Sequence, residues 1–311
     1  MGRVHSRFHL ANAPALPSRK AMQEIHQPDS PREIVAIDCH AHVMRRNIPL
    51  SAERHSAPKS DVTVEQYLAQ LDEYHITYGV LTAPSFYGTN NTLLLESLDR
   101  ARGRLRGTAI VDPSIDRAAL EEMGQRGVVG VRLNWIRRDD IPDVDSDEYR
   151  RLFEHVRLLG WHVEIYLEGA KLADVLPRIR SYGVTVVADH FGSPTPTKGI
   201  ACPGFEQVLR GVRAGDTFVK LSAPYRLGGA DPQPYVDALL DSGGPAQLVW
   251  ATDWPFVGHE DSVTYRQCVE WIQKWIPDSA IRHVVLAESP ARLFHFAPSA
   301  AVKSRISEEG F

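Results

Sequence analysis

A chain of 311 residues, 43% hydrophobic and 24% charged, has ordinary globular composition and room for one large α/β domain. A net charge of -4 at pH 7 excludes the basic footprint of a nucleic-acid binder, and the sequence shows no apolar run long enough to span a membrane. Three cysteines, Cys39, Cys202 and Cys268, make a disulfide framework unexpected, so a reducing cytoplasm is the expected setting.

Residues 1–33 carry scattered charge, little periodicity and no continuous apolar segment, and are read as an N-terminal arm. From Ile34 onward two textures alternate. Short runs rich in Val, Ile and Leu predict strands at 34–40, 78–84, 105–112, 128–134, 162–168, 184–190, 217–223 and 247–253. Amphipathic stretches predict helices near 63–75, 92–103, 116–125, 147–159, 171–182, 204–214, 232–242 and 262–275. Thr63 heads the first helix with Gln66 three residues on, and Gly103, Gly127, Gly160 and Gly183 sit where helices should end. Eight alternations predict a (β/α)8 TIM barrel over 34–297, followed by a C-terminal tail, 298–311. The rival is a doubly wound open sheet. It favours a glycine-rich phosphate loop after the first strand, and "DCHAHV" is not one.

A barrel places its chemistry at the C-terminal ends of strands. Those ends carry Asp38, His40 and His42; Arg132 and Asn134; Glu164, Tyr166 and Glu168; Asp189 and His190; Lys220 and Ser222; and Asp253. Residues two apart on a strand share a face. His40 and His42 therefore point together into the mouth, with Asp38 expected below them and Cys39 expected to face the helices. Asp189 is read as a supporting or outward carboxylate. His75, His155, His162 and His283, on helices or strand starts, are read as structural or surface residues. Paired His40 and His42, with His190 and Asp253 at two other strand ends, form a constellation suited to acid–base or metal chemistry.

The stretches "DCHAHV", "VADHFGSP" and "WATDWPF" resemble the strand-one, strand-six and strand-eight motifs of the amidohydrolase superfamily. "PSFYGTNNTLLLESL", "GVRLNW", "HFG" and "TDWP" narrow the resemblance to its lactonase branch, which acts on pyrone dicarboxylates, sulfomuconolactones and sugar lactones. The resemblance implies hydrolysis of a lactone, with Asp253 as general base for water. It implies that His40, His42 and His190 bind a metal or polarise the carbonyl directly, and that Arg132 and Arg138 bind carboxylate. Tyr166 and Arg226 are similar to further substrate contacts. There are departures. Strand four has Arg132 and Asn134 where a metal-bridging lysine would stand, and strand five has Glu164 and Tyr166 in place of a histidine, which speaks against a bridged two-metal site. Ser193 stands where the pyrone-dicarboxylate branch has an arginine.

Two routes for the carbonyl stay open. One Zn²⁺ held by His40, His42, His190 and Asp253 would act as Lewis acid; alternatively the imidazoles donate hydrogen bonds without metal. Arg132, Arg138 and Arg226 point to a small anionic substrate, because guanidinium forks match carboxylates. Tyr166 is expected at the mouth. Ser85 and Tyr87, in the loop "PSFYGTNN", offer hydroxyls for close substrate approach, as does the loop "SAPYRLGG". The rival activities are sugar-acid lactonase and metal-dependent decarboxylase of an aromatic or muconic acid; a non-catalytic barrel is the rival to an enzyme. A homo-oligomer is compatible with the sequence, and no feature fixes its state.

Overall fold

The computed structural model describes residues 32–297. The N-terminal arm up to residue 31 and the C-terminal tail lie outside the described residues. Eight strands appear in chain order: β1 (Ile37–Ala41), β2 (Tyr78–Thr82), β3 (Leu105–Ala109), β4 (Val128–Asn134), β5 (His162–Tyr166), β6 (Thr185–Ala188), β7 (Thr217–Leu221) and β8 (Leu248–Trp250). Each pairs in parallel with the next. The ring closes just beyond β8, where Asp253 N donates to His40 O at 2.9 Å and His42 N donates to Trp254 O at 2.8 Å. Closing the barrel thus brings the first strand's histidines beside the last strand's aspartate.

The helices that follow the strands are α1 (Val64–Glu73), α2 (Thr92–Arg100), α3 (Arg117–Gln125), α4 (Asp147–Leu158), α5 (Gly169–Ser181), α6 (Pro203–Ala214), α7 (Gln233–Gly243) and α8 (Tyr265–Trp275), and two short helices, Ser279–His283 and Ser289–Leu293, end the described chain. The first eight fall in the stretches that periodicity marked. Thr63 caps α1 through the reciprocal bonds its spacing to Gln66 allows. A large core lies between strands and helices. A smaller cluster fills the barrel itself: Ile37, Tyr78 and Phe218 from strand starts meet Phe294 and Phe296 from the end of the described chain. This closes the N-terminal end and leaves the C-terminal mouth for chemistry. Gly130 lets the His162 ring cross this interior, since a Cβ there would lie 2.4 Å from the ring. Among the described residues, no helix is long and apolar enough to cross a membrane.

Two expected side-chain directions are corrected. Asp38 does not sit below the histidines: its carboxylate accepts from Thr252 N, Thr252 Oγ1 and the Tyr265 hydroxyl of α8. Cys39 does not face the helices; it joins the inner cluster with Val80 and Ala251. The cause is a register shift between Asp38 and Ala41, which pair with Gly79 and Leu81, so that three steps along β1 oppose two along β2. Such a bulge resets alternation. His40 and His42 still converge on the mouth, on the far side of it.

Candidate active site

Three imidazoles and one carboxylate form the floor of the mouth. Asp253 divides its oxygens between two tasks. Oδ1 lies 3.5 Å from His40 Nε2, 3.6 Å from His42 Nε2 and 3.9 Å from His190 Nε2. Oδ2 accepts from the Tyr225 hydroxyl at 2.8 Å and from Arg226 Nε and Nη2 at 2.9 and 2.7 Å. Asp253 and His190 both hold left-handed backbone, with φ of 66° and 49°. Such positions cost about 1–3 kcal/mol each and persist only where surrounding bonds enforce them. At Asp253 the closing bond from its N to His40 O is one such bond.

The other ring nitrogens are anchored by three different partners. His42 Nδ1 lies 2.7 Å from Thr82 O, an acceptor only, so Nδ1 carries a proton, and in the neutral tautomer Nε2 is bare. His190 Nδ1 lies 2.9 Å from Ser222 Oγ. His40 Nδ1 lies 2.9 Å from Lys220 Nζ. Beneath His40, Lys220 also meets Glu164 Oε2 at 2.5 Å and Asp189 Oδ1 at 3.2 Å. Arg132 meets the same two carboxylates, at 3.0 Å to Glu164 Oε1 and 2.8 Å to Asp189 Oδ2, and donates to Ala83 O at 3.0 Å. Two buried cations thus face two buried carboxylates, the condition under which charge is tolerated in an interior.

Burial, aided for His40 by Lys220, holds His40 well below the usual histidine range. Burial takes His190 down to about 4. Asp253 is pushed up by burial, but Arg226 and the neighbouring histidines overcome that and hold it well below the usual carboxylate range. At neutral pH the Asp253 carboxylate therefore faces neutral imidazoles at His40 and His190.

A cavity of about 300 Å³ opens above this floor. Ser85, Arg132, Tyr166 and Arg226 line it together with His42, His190 and Asp253. Three site residues singled out in the sequence do not: His40, which is fully buried behind the lining, Arg138 and Tyr87. Arg138 turns away to pair with Glu53 at 3.0 Å, and its neighbour Arg137 lines the cavity instead. The Tyr87 hydroxyl is taken by the backbone N and O of Arg45, at 2.7 Å each. Ser193 does not reach the cavity wall, and its hydroxyl is buried without a hydrogen-bond partner. Sequence reasoning assigned no role to Lys220 or Glu164. Their signal was present: each is a charge at an inward position of an otherwise apolar strand. His55, Arg137 and His259 at the rim lie on loops with no pattern to mark them.

The site can be tested for a metal ion. His40, His42 and Asp253 place ligand atoms within 4.8 Å of one another, as do His40, Asp189 and His190, so the groups are close enough to hold one. A metal-bound imidazole donates its other N–H to an acceptor. His42 and His190 have such partners, in Thr82 O and Ser222 Oγ. His40 does not: its Nδ1 faces an ammonium. The donor atoms are gathered, but one of the three imidazoles is not set up as a ligand.

A (β/α)8 barrel with a strand-borne His-x-His, a histidine after β6 and an aspartate after β8 defines a barrel of the amidohydrolase class. The chain belongs to the amidohydrolase family, which it matches over residues 37–296. It is 28% identical to a 2-pyrone-4,6-dicarboxylate hydrolase of Comamonas testosteroni over 83% of this chain and 90% of that protein. It is 26% identical to a 4-sulfomuconolactone hydrolase of Hydrogenophaga intermedia over 83% of this chain and 88% of that protein. A crystal structure of a probable 2-pyrone-4,6-dicarboxylic acid hydrolase from Acinetobacter baumannii, with citric acid bound, superposes with a TM-score of 0.78 at 31% identity, covering 85% of this chain and all of that one.

Proposed function

We propose that this protein is a lactonase that opens the ring of a small anionic substrate, 2-pyrone-4,6-dicarboxylate or a sulfomuconolactone, without a resident metal. The observation that carries this reading is the division of Asp253: Oδ2 is locked by Arg226 and Tyr225, and Oδ1 faces three imidazoles at the foot of a cavity edged by arginines. The names of the relatives support the substrate class. The anionic character of both named substrates, and the citric acid bound in the Acinetobacter structure, agree with Arg132, Arg137 and Arg226 on the cavity wall.

The chemistry is acyl transfer to water. Asp253 Oδ1 accepts a proton from a water beside the lactone carbonyl, and the water oxygen bonds to the carbonyl carbon. The carbonyl π electrons move to oxygen, and that developing charge is met by an imidazole N–H of the floor. Collapse of the oxyanion breaks the ring C–O bond. Asp253 returns its proton to the departing ring oxygen. In a pyrone that oxygen is an enol oxygen, a stable leaving group that takes the proton as the bond breaks, so Asp253 ends as the carboxylate it began. An ion held by His40, His42, His190 and Asp253 would supply Lewis acidity at the same carbonyl; the contact of His40 Nδ1 with Lys220 weighs against it.

The deciding experiment is hydrolysis of 2-pyrone-4,6-dicarboxylate by metal-stripped protein, followed by loss of pyrone absorbance. Rapid turnover supports the reading. Absence of turnover with that substrate and with sulfomuconolactone, before and after Zn²⁺ is added, overturns it.

A further inference from the structure

We propose that Lys220 is a positioning residue that sets the tautomer of His40, so that His40 presents an Nε2–H donor to the reacting carbonyl oxygen while His42 presents a bare nitrogen. The part of this assignment that concerns the carbonyl rests on the lactonase reading.

An ammonium has donors and no lone pair. Lys220 is fully buried, and Nζ lies within hydrogen-bond geometry of His40 Nδ1 at 2.9 Å. Nδ1 must then accept, and the single proton of the neutral ring sits on Nε2. The opposite tautomer would send Nδ1–H to Asp189 Oδ1, 3.3 Å away. That oxygen also lies 3.2 Å from Lys220 Nζ, which can serve it directly, and the shorter contact of Nδ1 is the one with Nζ, at 2.9 Å. A neutral amine at Lys220 would leave Glu164 and Asp189, both buried, to share Arg132. With Glu164 Oε2 at 2.5 Å and Asp189 Oδ1 at 3.2 Å, Nζ stands in the ion-pair setting of an ammonium.

His42 is fixed the other way, because a backbone carbonyl can only accept. The two Nε2 atoms lie 3.3 Å apart with their rings edge to face at 89°. Opposite tautomers place one proton between them, donated by His40 to His42. Equal tautomers would place two protons there or none. In the free protein the donor thus rests on the lone pair of His42, close to Asp253 Oδ1, and an incoming carbonyl oxygen takes it over. The same assignment removes the lone pair that a metal ion would need at His40. Lys220 thereby converts a ligand geometry into an oxyanion donor.

The test is the tautomer itself, read from two-bond ¹H–¹⁵N correlations in protein labelled with ¹⁵N-histidine, the His40 signals being identified by their loss in His40→Asn. Wild-type His40 is expected with Nε2 protonated and Nδ1 bare. In Lys220→Met, checked for folding by thermal melting, the proton is expected to move to Nδ1, toward Asp189. The same variant is expected to lose about 10²- to 10³-fold in kcat with KM within about threefold, as for loss of one oxyanion donor. An Nδ1-protonated His40 in the wild type overturns the proposal, as does a folded Lys220→Met protein with an unchanged tautomer. A wild type that hydrolyses no lactone would refute the lactonase reading, and the tautomer measurement would still decide the role of Lys220.

Discussion

Arg226 and Asp253 meet through a single oxygen. Both Nε and Nη2 of the arginine close on Oδ2, at 2.9 and 2.7 Å, and Tyr225 adds a third donor to the same atom. Oδ1 is left with no donor but the floor imidazoles. A carboxylate held in this way has one oxygen for structure and one for proton transfer. Asp253→Asn keeps the size and the contact to Tyr225 but cannot accept a proton at Oδ1. Its kcat for lactone hydrolysis is expected to fall about 10²- to 10⁴-fold with little change in KM. Steady-state rates settle it, and full activity in the variant would remove Asp253 from the mechanism.

Arg137 and Arg138 are adjacent in sequence and opposite in position. Arg137 lines the cavity; Arg138 pairs with Glu53 outside it. Loss of a charge-assisted hydrogen bond to the substrate is expected to raise KM about tenfold in Arg137→Met, and Arg138→Met is expected to stay within about twofold of wild type. A larger effect at Arg138 would mean that the loop rearranges when substrate binds.

The barrel was legible because its signals are local and repeated. Apolar runs of strand length and helical periodicity recur eight times, and Thr63, Asp116, Ser146 and Thr264 cap four of the helices. The strand ends then located His40, His42, His190 and Asp253, which the structure gathers around one oxygen. Three things were not legible. The bulge in β1 depends on pairing with β2, so the facing of Asp38 and Cys39 was misread from simple alternation. In "WIRRDD" the loop conformation, including a φ of 62° at Arg137, decides which arginine enters the cavity. The apolar setting of Arg132 suggested that it needed a partner. That partner proved to lie within the protein, in Glu164 and Asp189, as well as on the wall a substrate would touch.

Removal of divalent ions supplies a separate check. On the proposed reading, with His40 Nδ1 against Lys220, the floor works without a metal. Protein dialysed against a strong chelator, its metal content measured directly, is expected to keep its kcat within about twofold, and added Zn²⁺ is expected to give no increase, since an ion lacking one imidazole gains little there. Activity that tracks metal content instead would place an ion at the floor and return the histidines to a ligand role.

His190 makes the protein's stability depend on pH in a stated direction. Burial lowers it from the ordinary 6.5 to about 4 in the folded chain, so between those values the unfolded chain binds a proton that the folded chain refuses. Its contribution is complete above pH 6.5 and is lost as pH falls toward 4. Between pH 7 and pH 5 the loss is expected to be about 2 kcal/mol. Other buried groups titrate in the same range, among them Asp38, which burial raises to about 6 and which acts in the opposite sense. Comparison with His190→Asn cancels those terms. Urea unfolding of both proteins at the two pH values should show the wild type losing about 2 kcal/mol more than the variant, and equal losses would mean that His190 is not held neutral in the fold.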